Sequence, residues 1–315
     1  MRVLGHLVGP QPRSEELMKA YRDYTKGRLA KQALDELIRK EVEENVRIQL
    51  ENGFALIIDG MLNWHDLLRP FAERLGGIEV GGLARWFDNN VFYKQPVIIG
   101  KVERTGPVLE NMLFYDLVPS KRLKVIVPDP YTFSRLSVNK SYRRFEDLVY
   151  DVAEAIAEEI RSLPAVHVQL TAPSLVYEKL PRDEMELAMN AVDIIRRRYG
   201  GMLSIHTCFG RIGNAMPELL DFPVDMIGVD MTVTPFKDLK DYDFTKILGI
   251  GYVDARNTIL ETPEEIVAFV MKVLSETSAK QVYVSPSSGL EFLPNAIASL
   301  KIKNIGNALK LLEEV

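Results

Sequence analysis

The run Ala165-Val166-His167-Val168-Gln169-Leu170-Thr171, the segment Arg182 to Tyr199 and the run Leu203-Ser204-Ile205-His206-Thr207-Cys208-Phe209 decide the fold. Each run is short, apolar and rich in β-branched residues, as a strand buried on both faces must be. The segment between them is amphipathic at helical spacing. Strand, helix and strand in that order make a parallel pair with a crossover helix. The same alternation extends in both directions. Arg2–Gly9, Ala55–Asp59 and Lys124–Pro128 precede the unit, and Met226–Thr232, Ile247–Asp254 and Gln281–Ser285 follow it. Leu29–Asn52, Phe145–Leu163, Pro263–Ser275 and Asn295–Leu312 read as helices between and after the strands. Eight strands, each followed by helical or irregular chain, match a (β/α)8 TIM barrel, an α/β fold. The rival is an open doubly wound sheet. It lacks support because no glycine-rich dinucleotide turn follows any strand, and Val8-Gly9-Pro10-Gln11-Pro12 has prolines where that turn needs free amides.

Two stretches stand outside the alternation. Ser14 to Asn52 reads as an N-terminal helical pair within the first β-to-β connection. Leu83 to Val102, with Trp86, Phe87, Val91, Phe92, Tyr93, Val97, Ile98 and Ile99, reads as a hairpin insertion after the second barrel strand. Its turn is expected near Lys94-Gln95-Pro96. No linker, repeat or composition shift divides the chain, so residues 1–315 are expected to form a single barrel domain. A net charge of −5 leaves no basic excess for phosphates, which argues against nucleic acid as partner. The single cysteine excludes an internal disulfide framework and fits a reducing, cytoplasmic setting. Arg2 and His6 interrupt the first apolar segment, so neither a signal peptide nor a membrane span is expected.

In a barrel of this type the strand ends converge on one rim. Here they carry Val8-Gly9, Asp59, Asp129, Thr171, His206 with Cys208, Asp230, Asp254, and Ser287 with Ser288. A carboxylate at the edge of a buried strand must be solvated, paired or metal-bound. Each aspartate alone is equally read as a cap on the next helix or a hydrogen-bond acceptor for a loop. Together they predict a polar pocket. His206 and Cys208 point the same way because strand side chains alternate with period two. Imidazole and thiolate at one strand end begin a zinc site, with Asp230 on the next strand the best-placed third ligand. The alternative is a hydrogen-bonded core histidine beside a small buried thiol. His6, His65 and His167 are less suitable, His167 lying mid-strand and His65 opening a helix after Asn63. Arg85-Trp86-Phe87-Asp88-Asn89-Asn90 offers Trp86 as a surface on which a flat heteroaromatic ring stacks, or simply packs on the rim.

These residues resemble the cobalamin-independent methionine synthases, within the wider group that includes uroporphyrinogen decarboxylase. The resemblance rests on Val8 to Arg13, Asp59-Gly60 to Asp66, Pro128-Asp129-Pro130-Tyr131-Thr132-Phe133, Val168 to Leu175, His206-Thr207-Cys208 and Ser285-Pro286-Ser287-Ser288-Gly289-Leu290. Arg85 to Asn90, Phe209-Gly210, Val229-Asp230 and Gly251 to Asn257 are closer to that family's N-terminal barrel, here as a stand-alone form. The resemblance implies methyl transfer from a methylated folate or pterin to a thiol such as homocysteine, with zinc holding the thiolate. It places the zinc ligands at His206, Cys208, Asp230 and Ser288. Asp59, Asp129, Thr171, Trp86 and Asp254 are the residues expected on the substrate side. Ser288 stands where the family has its last cysteine, and Met61 and Thr171 stand where it has carboxylates for the amino group. A neutral hydroxyl is a poorer zinc ligand than thiolate. An accessory role follows as the second implication: a non-catalytic barrel that binds pterin or pairs with a second, zinc-complete methionine-synthase-like chain.

Overall fold

The computed structural model describes residues 2–314, so both ends of the expected 1–315 domain lie outside it. In chain order the first elements are β1 (Arg2–Gly5), α1 (Glu15–Thr25), α2 (Lys31–Glu51), α3 (Arg69–Arg74), β2 (Gly76–Arg85) and β3 (Phe92–Glu103). The middle holds β4 (Lys124–Pro128), α4 (Pro130–Arg135), β5 (Val138–Asn139), α5 (Phe145–Arg161), β6 (His167–Thr171), α6 (Arg182–Arg198) and β7 (Met202–Thr207). The last are β8 (Met226–Asp230), α7 (Lys237–Lys240), β9 (Ile247–Val253), α8 (Pro263–Glu276), β10 (Gln281–Pro286) and α9 (Asn295–Glu313). One sheet runs β1-β10-β9-β8-β7-β6-β4, every pair parallel. Residues 55–59 close it into the expected barrel, since Leu56 bridges His6 and Ile57 bridges Leu123, both in parallel.

That closing strand is irregular for a reason. Ala55 N–H donates to the Gly5 carbonyl on the β1 edge, whereas Ile57 turns to the β4 edge, donating to Arg122 and accepting from Lys124 at 2.8 and 2.9 Å. Ile58 then faces the β1 side, where the chain has already left the sheet toward Pro10. Gln49 of α2, fully buried, substitutes for the absent strand: its Oε1 accepts from Ile58 N–H at 3.0 Å and its Nε2 donates to the Ile58 carbonyl at 2.8 Å. A side-chain amide thereby satisfies the two backbone groups the ring would otherwise orphan.

Helices cover the ring with apolar stripes. In α5, Leu148, Val149, Val152, Ile156 and Ile160 recur at helical spacing and are all buried. The helix α8 begins with a capping box in which Thr262 and Glu265 exchange bonds with each other's backbone amides. The expected N-terminal pair is α1 and α2. The hairpin is β2 with β3, antiparallel as expected, but its turn spans residues 86–91 rather than Lys94-Gln95-Pro96. Pro96 instead lies opposite Val80 beside a bulge in which Gly81 and Gly82 face the single residue Gln95.

Inside the ring, below the rim, the core is polar. Lys124 Nζ donates to the Leu7 carbonyl at 2.6 Å and lies 3.0 Å from His6 Nδ1, while His167 Nε2 pairs with Ser204 Oγ at 2.7 Å. Burial holds His6, His167 and Lys124 well below their ordinary pKa values, and the Lys124 charge lowers both histidines further. His167 opens β6 rather than lying mid-strand. Among the described residues, no helix is long and apolar enough to cross a membrane.

Candidate active site

At the C-terminal ends of the strands a cavity of about 240 Å³ opens. Its floor holds Thr171, His206, Cys208 and Ser288, from the ends of β6, β7 and β10. Trp86, Val91, Phe92 and Tyr93 of the hairpin form one wall, and Trp64 and His65 another. The rings of Trp86 and Tyr93 meet edge to face at 5.5 Å, and Phe87 links Trp86 to Phe209 at 5.3 and 5.9 Å. Aromatic walls over a polar floor suit a flat ligand with a reactive end. Both tryptophans of the chain, Trp64 and Trp86, line this cavity.

The loops after the first and last strands are pressed together at its edge. A Cβ on Gly9 would lie 2.5 Å from the Gly289 Cα and 2.6 Å from its nitrogen, and a Cβ on Gly289 would overlap the Glu291 carboxylate. Only glycine allows this approach.

The four strand-end aspartates all accept hydrogen bonds from nearby backbone amides. None lines the cavity. Asp59 accepts from the amides of Met61 (3.0 Å) and Phe114 (3.2 Å). Asp230 accepts from Phe209 N–H at 3.1 Å and from the amide and hydroxyl of Thr232 at 3.0 and 2.5 Å. Asp129 caps α4 through Thr132 N–H at 2.7 Å, its other oxygen having no partner, and Asp254 accepts from Arg256 N–H at 2.8 Å. Met61 and Phe209 both sit at positive φ, 56° and 65°. For side-chain-bearing residues that backbone is costly and needs external support, which Asp59 and Asp230 supply. Asp59, Asp230 and Asp254 hold the loops that follow their strands, and Asp129 caps the helix that follows its own. Burial raises the pKa of Asp59, Asp129 and Asp230, that of Asp129 to about 6.

His206 is neutral. Its Nε2–H donates to the Ser287 carbonyl at 2.9 Å, and burial lowers its pKa to about 4. A carbonyl only accepts, so Nε2 carries the proton. The other nitrogen, Nδ1, is packed against Gly228, where a Cβ would collide with it. Burial, followed by the Asp230 and Glu291 charges, pushes the Cys208 thiol well up, with Arg256 opposing. Ser288 Oγ reaches only the Gly289 carbonyl, at 3.4 Å. Thus His206, Cys208 and Ser288 share the floor while Asp230 is turned to backbone. Among the described residues, no three His, Cys, Asp or Glu side chains are grouped as a metal would require. As arranged, this donor set does not fit tetrahedral zinc, because Asp230 would first have to release the backbone amides it holds and Ser288 offers only a neutral hydroxyl.

Several cavity residues were not among the expected site residues. Asp66 accepts from Leu68 and Lys94 amides at 3.0 and 3.1 Å and so ties the hairpin to the rim. His65 lies in the loop before α3 rather than opening a helix, against the Tyr21 ring at 5.8 Å. Arg13 donates to the Leu62 carbonyl at 2.7 Å and stacks 5.0 Å over Tyr21. Glu291 reaches in from the loop after β10. Burial of the carboxyl among protein atoms raises its pKa to about 8 against Arg13, although part of the residue is exposed to solvent.

A family model described as "Cobalamin-independent synthase, Catalytic domain" matches residues 5–310. The methionine synthase of Saccharolobus solfataricus is 28% identical, over 98% of this chain and 94% of its own length. That of Sulfolobus acidocaldarius is also 28% identical, over 98% and 91%. Among solved structures, a B12-independent methionine synthase from Shewanella sp. W3-18-1, in complex with selenomethionine, superposes with a TM-score of 0.79 at 18% identity, covering 91% of each chain. A putative vitamin-B12-independent methionine synthase from Listeria monocytogenes gives 0.78 at 17%, covering 99% of each.

Proposed function

The chain belongs to the cobalamin-independent synthase catalytic-domain family, and from that premise we propose that it is an S-methyltransferase of the methionine-synthase type. It takes a methyl group from a methylated folate or pterin and delivers it to a thiol such as homocysteine. The observation that carries this reading is the rim cavity, where aromatic walls enclose a floor bearing His206 and Cys208. A planar carrier ring stacks on Trp86 and the hairpin, which turns the methyl toward the floor. Thr171 and Ser288 offer hydroxyls there, and His206, fixed by Ser287, presents a neutral ring surface and no charge. The anchored loops keep these parts in place before a ligand arrives. No step is assigned to zinc, since the donor set does not fit it.

The test uses purified chain, methyltetrahydrofolate or a methylated tetrahydropterin, and homocysteine, with methionine as the readout. Formation of methionine that depends on the chain is expected, together with quenching of the Trp64 and Trp86 fluorescence by the pterin. No methionine under any zinc concentration, and no quenching, refutes the reading. One observation favours a second reading, an accessory barrel: the strand-end carboxylates and His206 are committed to backbone. In that case quenching occurs, but methionine forms only on mixing with a second, zinc-complete barrel chain.

A further inference from the structure

A thiol must lose its proton before its sulfur attacks a methyl group, and the cavity contains few groups able to take it. Both oxygens of Asp66 are engaged by backbone amides. His206 has Nε2 protonated, and burial holds its pKa down to about 4, a poor match for a thiol proton. The Cys208 thiol is itself held protonated. His65 packs against Tyr21 and is disfavoured as a cation by burial first, then by Arg13 and Arg69. Glu291 differs from all of these. Among the described residues its carboxylate bonds to no group but its own backbone amide, and it faces the cavity. Its place there is built in, because Gly289 lacks the Cβ that would fill the space the carboxylate takes.

Building on the methyl-transfer reading, we infer that Glu291 is the proton acceptor for the thiol in this cavity and returns the proton to the departing carrier nitrogen. The S–H bond breaks, its proton goes to a Glu291 oxygen, and the electron pair stays on sulfur. Sulfur then bonds to the methyl carbon while the carbon–nitrogen bond breaks and its pair stays on nitrogen. That nitrogen takes the proton from Glu291. The sum is thiol plus N-methyl carrier giving thioether plus N–H carrier, with nothing oxidised or reduced and Glu291 restored. The raised carboxyl supports the assignment, since an ordinary glutamate near about 4.3 is a poor match for a thiol near about 8.5. The titratable and charged groups sharing the cavity with it are Arg13, His65, Asp66, Tyr93, His206 and Cys208.

The test compares wild type with Glu291→Gln, which keeps the shape but cannot accept a proton. At pH 7, kcat should fall by about 100-fold or more, with KM for both substrates and the tryptophan quench within about 3-fold of wild type. The gap should narrow as pH rises above about 8.5, where the substrate thiol ionises unaided. A merely structural role would not produce that narrowing. Glu291→Asp, a base drawn back by one methylene, should keep the wild-type pH limb at reduced rate. A Glu291→Gln enzyme within about 3-fold of wild type, a gap independent of pH, or loss of the limb in His65→Gln instead would each overturn the inference while methyl transfer stands. A wild type that forms no methionine overturns the methyl-transfer reading and this inference with it.

Discussion

Replacing Gln49 by Leu tests how the barrel closes. The leucine fills similar space, but Ile58 N–H and C=O lose their partners in a position where Ile58 is 1% exposed. A buried backbone group left unsatisfied costs roughly 1–3 kcal/mol, so two of them set a range of about 2–6 kcal/mol. Added apolar contact from the leucine offsets part of this, which leaves an expected loss of about 3–4 kcal/mol. Urea denaturation followed by circular dichroism reads it as a lower midpoint at unchanged slope. Amide exchange at Ile58 should accelerate with it. Gln49→Glu separates hydrogen bonding from packing. Its carboxylate still accepts from Ile58 N–H but faces the Ile58 carbonyl without a proton. Burial raises such a carboxyl in the folded state, so the folded protein binds the extra proton and the variant should gain stability as pH falls toward 5. A Gln49→Leu loss below about 1 kcal/mol at unchanged slope would refute the claim that this side chain substitutes for a strand.

Acid should destabilise the barrel through its neutral histidines. His206 titrates at about 4 in the folded protein and at its ordinary value of about 6.5 once unfolded. The unfolded state therefore binds more protons below about pH 6.5, so stability is full above that pH and lost as pH falls toward 4. The loss from this group is about 3 kcal/mol, with His6 and His167 acting in the same direction, and His206→Gln should flatten the dependence of urea midpoint on pH. Gly228→Ala pushes a methyl into His206 Nδ1 and should cost about 1–3 kcal/mol, visible as a lower thermal midpoint. Cys208, buried and held as thiol, should react with iodoacetamide at pH 8 at least about 10-fold more slowly than free cysteine, and unfolding in urea should abolish the difference.

The ring of strands was legible because strands buried on both faces must be continuous apolar runs, and Lys124–Pro128 and Met226–Asp230 are such runs with every residue buried. The hairpin was legible from its β-branched and aromatic content, but Pro96 was a misleading turn signal. Asp88-Asn89-Asn90 carries the turn chemistry, and a bulge excuses the proline. The strand-end aspartates were visible as a polar rim. The reading of each as a helix cap or loop acceptor matches the bonds they make; what no spacing announces is the left-handed backbone of Met61 and Phe209 that two of them support. His206, Cys208, Thr171, Ser288 and Trp86 do meet at one cavity. Glu291, Asp66 and Trp64 arrive on loops without periodicity, so only the folded chain brings them in.

The contact of Gly9 with Gly289 joins residues 280 positions apart, at the two extremes of the barrel. The cavity edge they share therefore cannot exist in any intermediate in which the first and last strands have not yet paired. Ligand capture becomes a clock for the last event of folding: in a refolding experiment, helical signal should return first, and quenching of Trp64 and Trp86 by an added pterin only when the ends of the ring have met.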